Sequence, residues 1–398
     1  MIQSDPGIAY ESLYDQMEKL IVQPLKESNI STVIVIDALD ECEDEEPASA
    51  ILSVLGRMAS KIPKVKFFLT GRPETRISKS FRLPLLAEIT DIFILHEVKA
   101  DQVNSDIRLF FKTSFLELAS HWHGLDSWPT EEQLDHLCGR TAGLFVYAAA
   151  TVKFISDNKR NPRERLNLIL QSQKIGVREG KTLDSLYTSI LQEAFGNDQE
   201  DDYKTRSVLG AVILAIDPIS PSTIASLLGF DVDDVFPLLS AVNSLLILQE
   251  DINHPVQPFH KSFPDFITNP TWCTDPRFHI SPPSHHLELL VGCLNLMNHA
   301  LGKNMCQLPD AVANSDVSDL KERVKRYIDP ALQYACVSWH THLIAVDMTL
   351  AHAPTITLAL HQLLEAKFLF WLEVLSVLSA VKNAVDALQT TVDLLEVC

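Results

Sequence analysis

Apolar and polar positions follow two rhythms along this chain. Leu13, Met17, Leu20, Ile21 and Leu25 recur at helical spacing, which predicts one amphipathic helix that ends near Pro24. The rhythm then changes. Val33-Ile34-Val35-Ile36 is a run of β-branched apolar residues without polar alternation, the pattern of a parallel strand buried on both faces. Helical spacing returns from Ala48 to Ala59, with Ile51, Leu52, Leu55 and Met58 inward and Pro63 beyond the end. Apolar strands are expected again over Val65–Leu69 and, after a loop containing Pro84, over Ile92–Leu95. Strand, helix, strand and strand in this order predict a parallel α/β arrangement.

Beyond residue 98 the helical period dominates. Ile107, Phe110, Phe111, Phe115 and Leu118 mark one helix, and Pro129-Thr130 opens another through Leu137. An apolar helix over Val208–Ile216 stops at Asp217-Pro218. Ser220-Pro221 then supplies an N-cap and a first-turn proline, and Gly229 closes that helix after Leu228. A third helix is expected from Asp233 to Leu246, followed by short strands on either side of Asp251-Ile252-Asn253-His254-Pro255. Helices followed by a hairpin describe a winged helix. Its third helix begins Asp231-Val232-Asp233-Asp234, whose charge repels phosphates, so an internal regulatory role is expected over DNA binding. Residues 281–398 read as helical, with no internal repeat period.

Length and composition narrow the class. A chain of 398 residues with 46% hydrophobic content, 13 Gly and 21 Pro fits a globular, helix-rich protein of two to four domains. A net charge of −19 argues against nucleic acid or an anionic membrane as the main partner. Seven scattered cysteines without a Cys-x-x-Cys pair suit a reducing compartment, and no signal segment or bilayer-length apolar run is apparent. A cytoplasmic location is the expectation.

The chemistry collects after the first strand. Asp37 ends it, and Asp40, Glu41, Glu43, Asp44, Glu45 and Glu46 follow, so carboxylates gather at the carboxyl end of a strand, where open α/β sheets place ligand sites. An apolar strand ending in Asp has the general form of a Walker B motif, in which the first carboxylate helps hold magnesium and a later acid orients water. Glu43 to Glu46 read as a solvated loop. His121/His123, His285/His286 and His340/His342 lack nearby Cys or acidic partners at zinc-site spacing, so no metal other than magnesium is expected.

The wording of three segments is more specific. Asp37-Ala-Leu-Asp-Glu-Cys42 resembles the Walker B segment of the NACHT signal-transducing NTPases, a family that includes fungal incompatibility proteins. Val65-Lys-Phe-Phe-Leu-Thr-Gly-Arg-Pro-Glu74 resembles that family's sensor strand, and Phe259-His-Lys-Ser-Phe-Pro-Asp-Phe266 its winged-helix segment. Thr141-Ala-Gly-Leu-Phe145 is similar to the segment near which related NTPases hold adenine. The resemblance implies ATP/ADP and Mg2+ as cofactors, with Asp37 as the metal ligand and Asp40 or Glu41 positioning water. It further implies that Arg72 senses the terminal phosphate, His260 contacts ADP, and Gly143 lies near adenine. It also implies protein partners and a possible homo-oligomer.

One part of that pattern is missing. No Gly-x-x-x-x-Gly-Lys-Ser/Thr loop occurs, and its nearest imitation, Gly176-Val-Arg-Glu-Gly-Lys-Thr182, has the wrong spacing and follows a helix. The resemblance therefore implies a chain that starts partway through an NTPase core. The expected fold is α/β plus α: an incomplete parallel-sheet P-loop core over 1–97, a helical domain over 98–200, a winged-helix-like domain over 201–280 and helices over 281–398. Two functions follow from this, a nucleotide-regulated switch with impaired ATP binding or a catalytically inactive helical scaffold.

Overall fold

The computed structural model describes residue 8 and residues 11–42, 45–122, 125, 128–157, 160–171, 181–196, 202–309, 313–346 and 353–397. Glu43, Asp44, His123, Cys398 and most of the Gly176–Thr182 segment lie outside the described residues. The chain forms two compact units, Met1–Val98 and Lys99–Cys398.

The first unit begins with α1 (Leu13–Met17), a π-helical turn over Glu18–Val22 and α2 (Gln23–Ser28). Pro24 does not end this helix as its sequence suggests. A proline lacks the N–H of a regular i to i−4 bond, and here a widened turn precedes it, so the helix continues until Asn29 turns left-handed at φ 52°. β1 (Thr32–Ile36), α3 (Glu45–Ala59) and β2 (Val65–Leu69) follow, and the strands pair in parallel with Thr32 opposite Val65 and Ile36 opposite Leu69. Short helices α4 (Thr75–Phe81) and α5 (Pro84–Ala87) complete the unit.

Two expectations fail in this unit. Among the described residues the sheet is covered on one face only: Ile34, Ile36, Phe67 and Leu69 pack into two small clusters built on Leu52 and Met58 of α3, while Val33, Val35 and Phe68 on the other face are 58%, 62% and 59% exposed. Among the described residues the sheet has two strands: residues 91–94 join no ladder, and Leu95–Glu97 form a single 3-10 turn. An apolar run becomes a strand only where a neighbouring backbone accepts its ladder, and Ile92–Leu95 finds none.

The second unit is helical: α6 (Ala100–Ser120), α7 (Glu131–Thr141), α8 (Phe145–Ile155), α9 (Pro162–Gln171), α10 (Lys181–Phe195), α11 (Asp202–Leu214), α12 (Pro221–Leu228) and α13 (Val232–Ala241). A 3-10 turn leads into the antiparallel hairpin of β3 (Leu246–Ile247) and β4 (Gln257–Pro258). Then come α14 (Ser262–Thr268), α15 (Pro282–Ala300), α16 (Leu320–Tyr327), α17 (Pro330–Ala345), α18 (Ala353–Gln362), α19 (Phe368–Val377) and α20 (Val381–Val397). Local signals hold well here. Thr130 and Gln133 form a reciprocal capping box at α7, Ser220 caps α12, and Gly229 ends it at φ 69°.

One hydrophobic core runs from Ile107 to Ala387. Its largest members include Trp339 and Trp371, packed edge to face with centroids 5.8 Å apart, and the Trp371 indole donates to the Cys336 carbonyl at 2.9 Å. Gly292 of α15 lies against the backbone of α12 so closely that an added Cβ would sit 2.1 Å from the Leu227 oxygen. A buried polar chain crosses this core. The Ile216 amide donates to the Tyr334 hydroxyl at 3.2 Å, that hydroxyl meets His342 Nε2 at 2.7 Å, and His342 Nδ1 meets His286 Nδ1 at 2.8 Å. A neutral His342 donates through one of its ring nitrogens and accepts through the other, so both contacts are satisfied by a single ring proton on His342.

Candidate functional site

Parallel register dictates where the candidate site forms. Ile36 and Leu69 are opposite each other, so the residues that follow, Asp37 and Thr70, leave the sheet side by side. The Thr70 amide donates to the Ile36 carbonyl at 3.0 Å, and the Leu39 amide donates to the Thr70 carbonyl at 2.9 Å. Ala38 takes a left-handed conformation, φ 54°, which turns its amide toward Thr70 Oγ1 at 2.9 Å. Thr70 Oγ1 in turn donates to Asp37 Oδ1. Leu39, buried beneath, anchors the turn.

The next contacts tie the two loops together further out. The Arg72 amide donates to Asp40 Oδ1 at 3.0 Å, and the Arg72 Nε faces Asp40 Oδ2 at 3.5 Å. The Asp40 side chain is 5% exposed and that of Arg72 49%. Asp37 and Glu41 are exposed, and the Glu41 amide closes the turn onto the Ala38 carbonyl. Asp37, Asp40 and Arg72 are thus one cluster, and Thr70 belongs to it. Sequence reading passed over Thr70, although the strand register alone sets it opposite Asp37.

The remaining candidates lie in the second unit. His260 is exposed, and its Nδ1 accepts the Ser262 amide at 3.1 Å and contacts Ser262 Oγ at 2.7 Å. Ser262 Oγ also meets the Tyr187 hydroxyl at 2.7 Å, and burial pushes that phenol up to about 12. Lys153 of α8 donates to the Leu246 carbonyl and lies 4.8 Å from the centre of the Phe259 ring, with burial lowering its pKa. Gly143 follows the left-handed Ala142 with φ 79°, and its amide donates to Thr141 Oγ1 at 3.3 Å. Two successive left-handed residues end α7 and start α8, a turn that a β-branched residue would strain. Among the described residues, no group of three His, Cys, Asp or Glu is arranged to hold a metal ion.

Comparison with known proteins bears on this geometry. The nephrocystin 3 N-terminal family profile matches residues 1–72, which include β1, β2 and both connecting loops up to Arg72. The vegetative incompatibility protein HET-E-1 of Podospora anserina is 22% identical over an alignment covering 92% of this chain and 27% of that protein. The chain thus spans about a quarter of the length of this relative. These matches support a NACHT-related fungal protein at family level. No solved structure matches. No described helix is long and apolar enough to cross a membrane.

The residues present fit part of what the NACHT resemblance implies. Magnesium is held in proteins by one or two carboxylates, with water and phosphate completing six positions. Asp37, exposed at a strand end with one oxygen steadied by Thr70, fits that need. A triphosphate also needs a glycine-rich loop of backbone N–H groups with a lysine, and this sequence contains no such motif. The set suits a cation and falls short of a phosphate cradle.

Proposed function

We propose that this chain is the switch-bearing part of a NACHT-type signalling protein whose own capacity to hold adenine nucleotide is impaired. The observation that carries the reading is the joined pair of loops at the carboxyl ends of β1 and β2. It sets a carboxylate, Asp37, and a guanidinium, Arg72, on adjacent strand ends, as a site for a cation and an anion together requires. In this reading ATP or ADP with Mg2+ is the regulatory ligand, and the output passes through protein partners or self-association. The hairpin region of the second unit acts as an internal regulatory element, in keeping with a net charge of −19 that disfavours nucleic acid.

A second reading, a helical scaffold without nucleotide, draws support from two local facts. The His260 Nδ1 accepts an amide two residues away, and Gly143 serves the turn that links α7 to α8. Denaturing the purified chain and separating the released nucleotide by chromatography tests the first reading, and well under one equivalent is expected. A full equivalent of ADP would overturn the impaired site. Equilibrium dialysis with MgADP then separates the two readings. Saturable binding that Asp37→Ala abolishes supports the switch, and no binding up to about millimolar ligand, near the weak end of the affinity scale, supports the scaffold.

A further inference from the structure

We propose that Asp40 is a positioning residue for Arg72 and takes no part in orienting water. Of the two carboxylates that the motif offers for water, Asp40 and Glu41, Asp40 is turned away from solvent: its side chain is 5% exposed, while its neighbours Asp37 and Glu41 are exposed. Both of its oxygens face one residue. Oδ1 accepts the Arg72 amide at 3.0 Å, and Oδ2 faces the Arg72 Nε at 3.5 Å. Burying a carboxylate is costly unless donors compensate it, and Arg72 offers a backbone N–H and a charged guanidinium.

The arrangement has a chemical consequence. Gripping the amide and the Nε together holds a long, flexible arginine at two points while its side chain stays 49% exposed. Thr70 does the equivalent for Asp37 by donating to Oδ1 while accepting the Ala38 amide. The two loops therefore form one bipolar piece, a carboxylate held by the β2 loop and a guanidinium held by the β1 loop. Each charge is positioned by the other strand, so a ligand bound at one end sets the geometry at the other. The use of Arg72 in this inference rests on the nucleotide reading, but the grip itself does not.

Nuclear magnetic resonance of the isotope-labelled full chain tests the grip without any ligand. The Arg72 amide proton is expected at the downfield position of a hydrogen bond to a carboxylate, and the Arg72 Nε–H should exchange slowly enough to be seen at neutral pH. Asp40→Asn keeps an oxygen for the amide and removes the charge. It should retain the amide resonance but move it upfield, and speed exchange of the Nε–H about tenfold, the loss of roughly 1.4 kcal/mol. Glu41→Gln should leave both signals as in the wild type, and unchanged Val65–Leu69 resonances report an intact sheet. An Arg72 amide shift and Nε–H exchange rate that are the same in Asp40→Asn as in the wild type would overturn the inference, as would the same changes in Glu41→Gln. If MgADP fails to bind while Arg72 responds as described, the nucleotide reading fails and the positioning role stands.

Discussion

His342 offers a sharp test of the helical unit, because it is fully buried yet ordinarily titrates near neutral pH. Desolvation, followed by the nearby His286 and His340, lowers its pKa from 6.5 to about 3. His286 faces it from α15 and Tyr334 from its own helix, while His285, beside His286, lies against Gly210 of α11. Asp386 of α20 acts on the neighbouring His340, and α12 brings no titratable side chain. A folded pKa below the unfolded one means that the unfolded chain binds the extra proton. The associated stability is therefore complete above about pH 6.5 and declines as pH falls toward 3. At pH 5 the unfolded imidazole is about 97% protonated and the folded one about 1%, so linkage gives a loss of about 2 kcal/mol relative to pH 7.5. His342→Gln should remove that increment. Guanidinium unfolding at pH 7.5 and pH 5.0, followed by tryptophan fluorescence, measures the pH dependence of stability in each protein, and the difference between them should be about 2 kcal/mol. Equal pH dependence in the two proteins would refute the reasoning, since it would mean that the folded state protonates His342 as readily as the unfolded chain does.

Four further predictions concern packing and the hydrogen bonds within it. Gly292→Ala should destabilise by about 2 kcal/mol despite the better helix propensity of alanine, because the obstruction, the Leu227 oxygen, is backbone. Gly139→Ala, on a helix with no atom within 4 Å of the new Cβ, should stabilise by up to about 1 kcal/mol, and thermal unfolding of the pair reads the opposite signs. Tyr187→Phe removes the hydroxyl bonded to Ser262 while its ring keeps its contacts with Phe263 and Phe266, so a loss of about 1 kcal/mol is expected in denaturant unfolding. Trp371→Ala should cost about 3–5 kcal/mol by the same assay, through the emptied volume beside Trp339 and the lost bond to the Cys336 carbonyl.

What could be read from the sequence was what short stretches decide alone. The Thr130 cap, the Ser220-Pro221 start, the Gly229 stop and the hairpin around Asp251–Pro255 depend on residues a few positions apart, and each stands where its chemistry put it. The strand expected at Ile92–Leu95 depended on a partner elsewhere, and its absence was invisible in the apolar pattern. The same holds for Val33 and Val35, whose β-branched run signals a strand but not what covers it. Asp37 stood out as the acid that ends an apolar run, and Arg72 through the resemblance of its segment to a sensor strand. The contact between Asp40 and Arg72 was not, because it joins residues 32 positions apart through loops whose course only the sheet register fixes. The pairing of His286 with His342, 56 positions apart, was hidden in the same way, and the histidine doublets in the sequence drew attention to the wrong neighbours.

The contact between Gly292 and Leu227 has a mechanical meaning. Where two helices meet through side chains, rotamers can yield and the helices can slide or tilt by small amounts before anything breaks. Where backbone meets backbone there is no such slack. α12 and α15 are in effect spot-welded at one point, so a push or twist delivered to α15 passes directly into α12, the first of the two helices that lead to the hairpin.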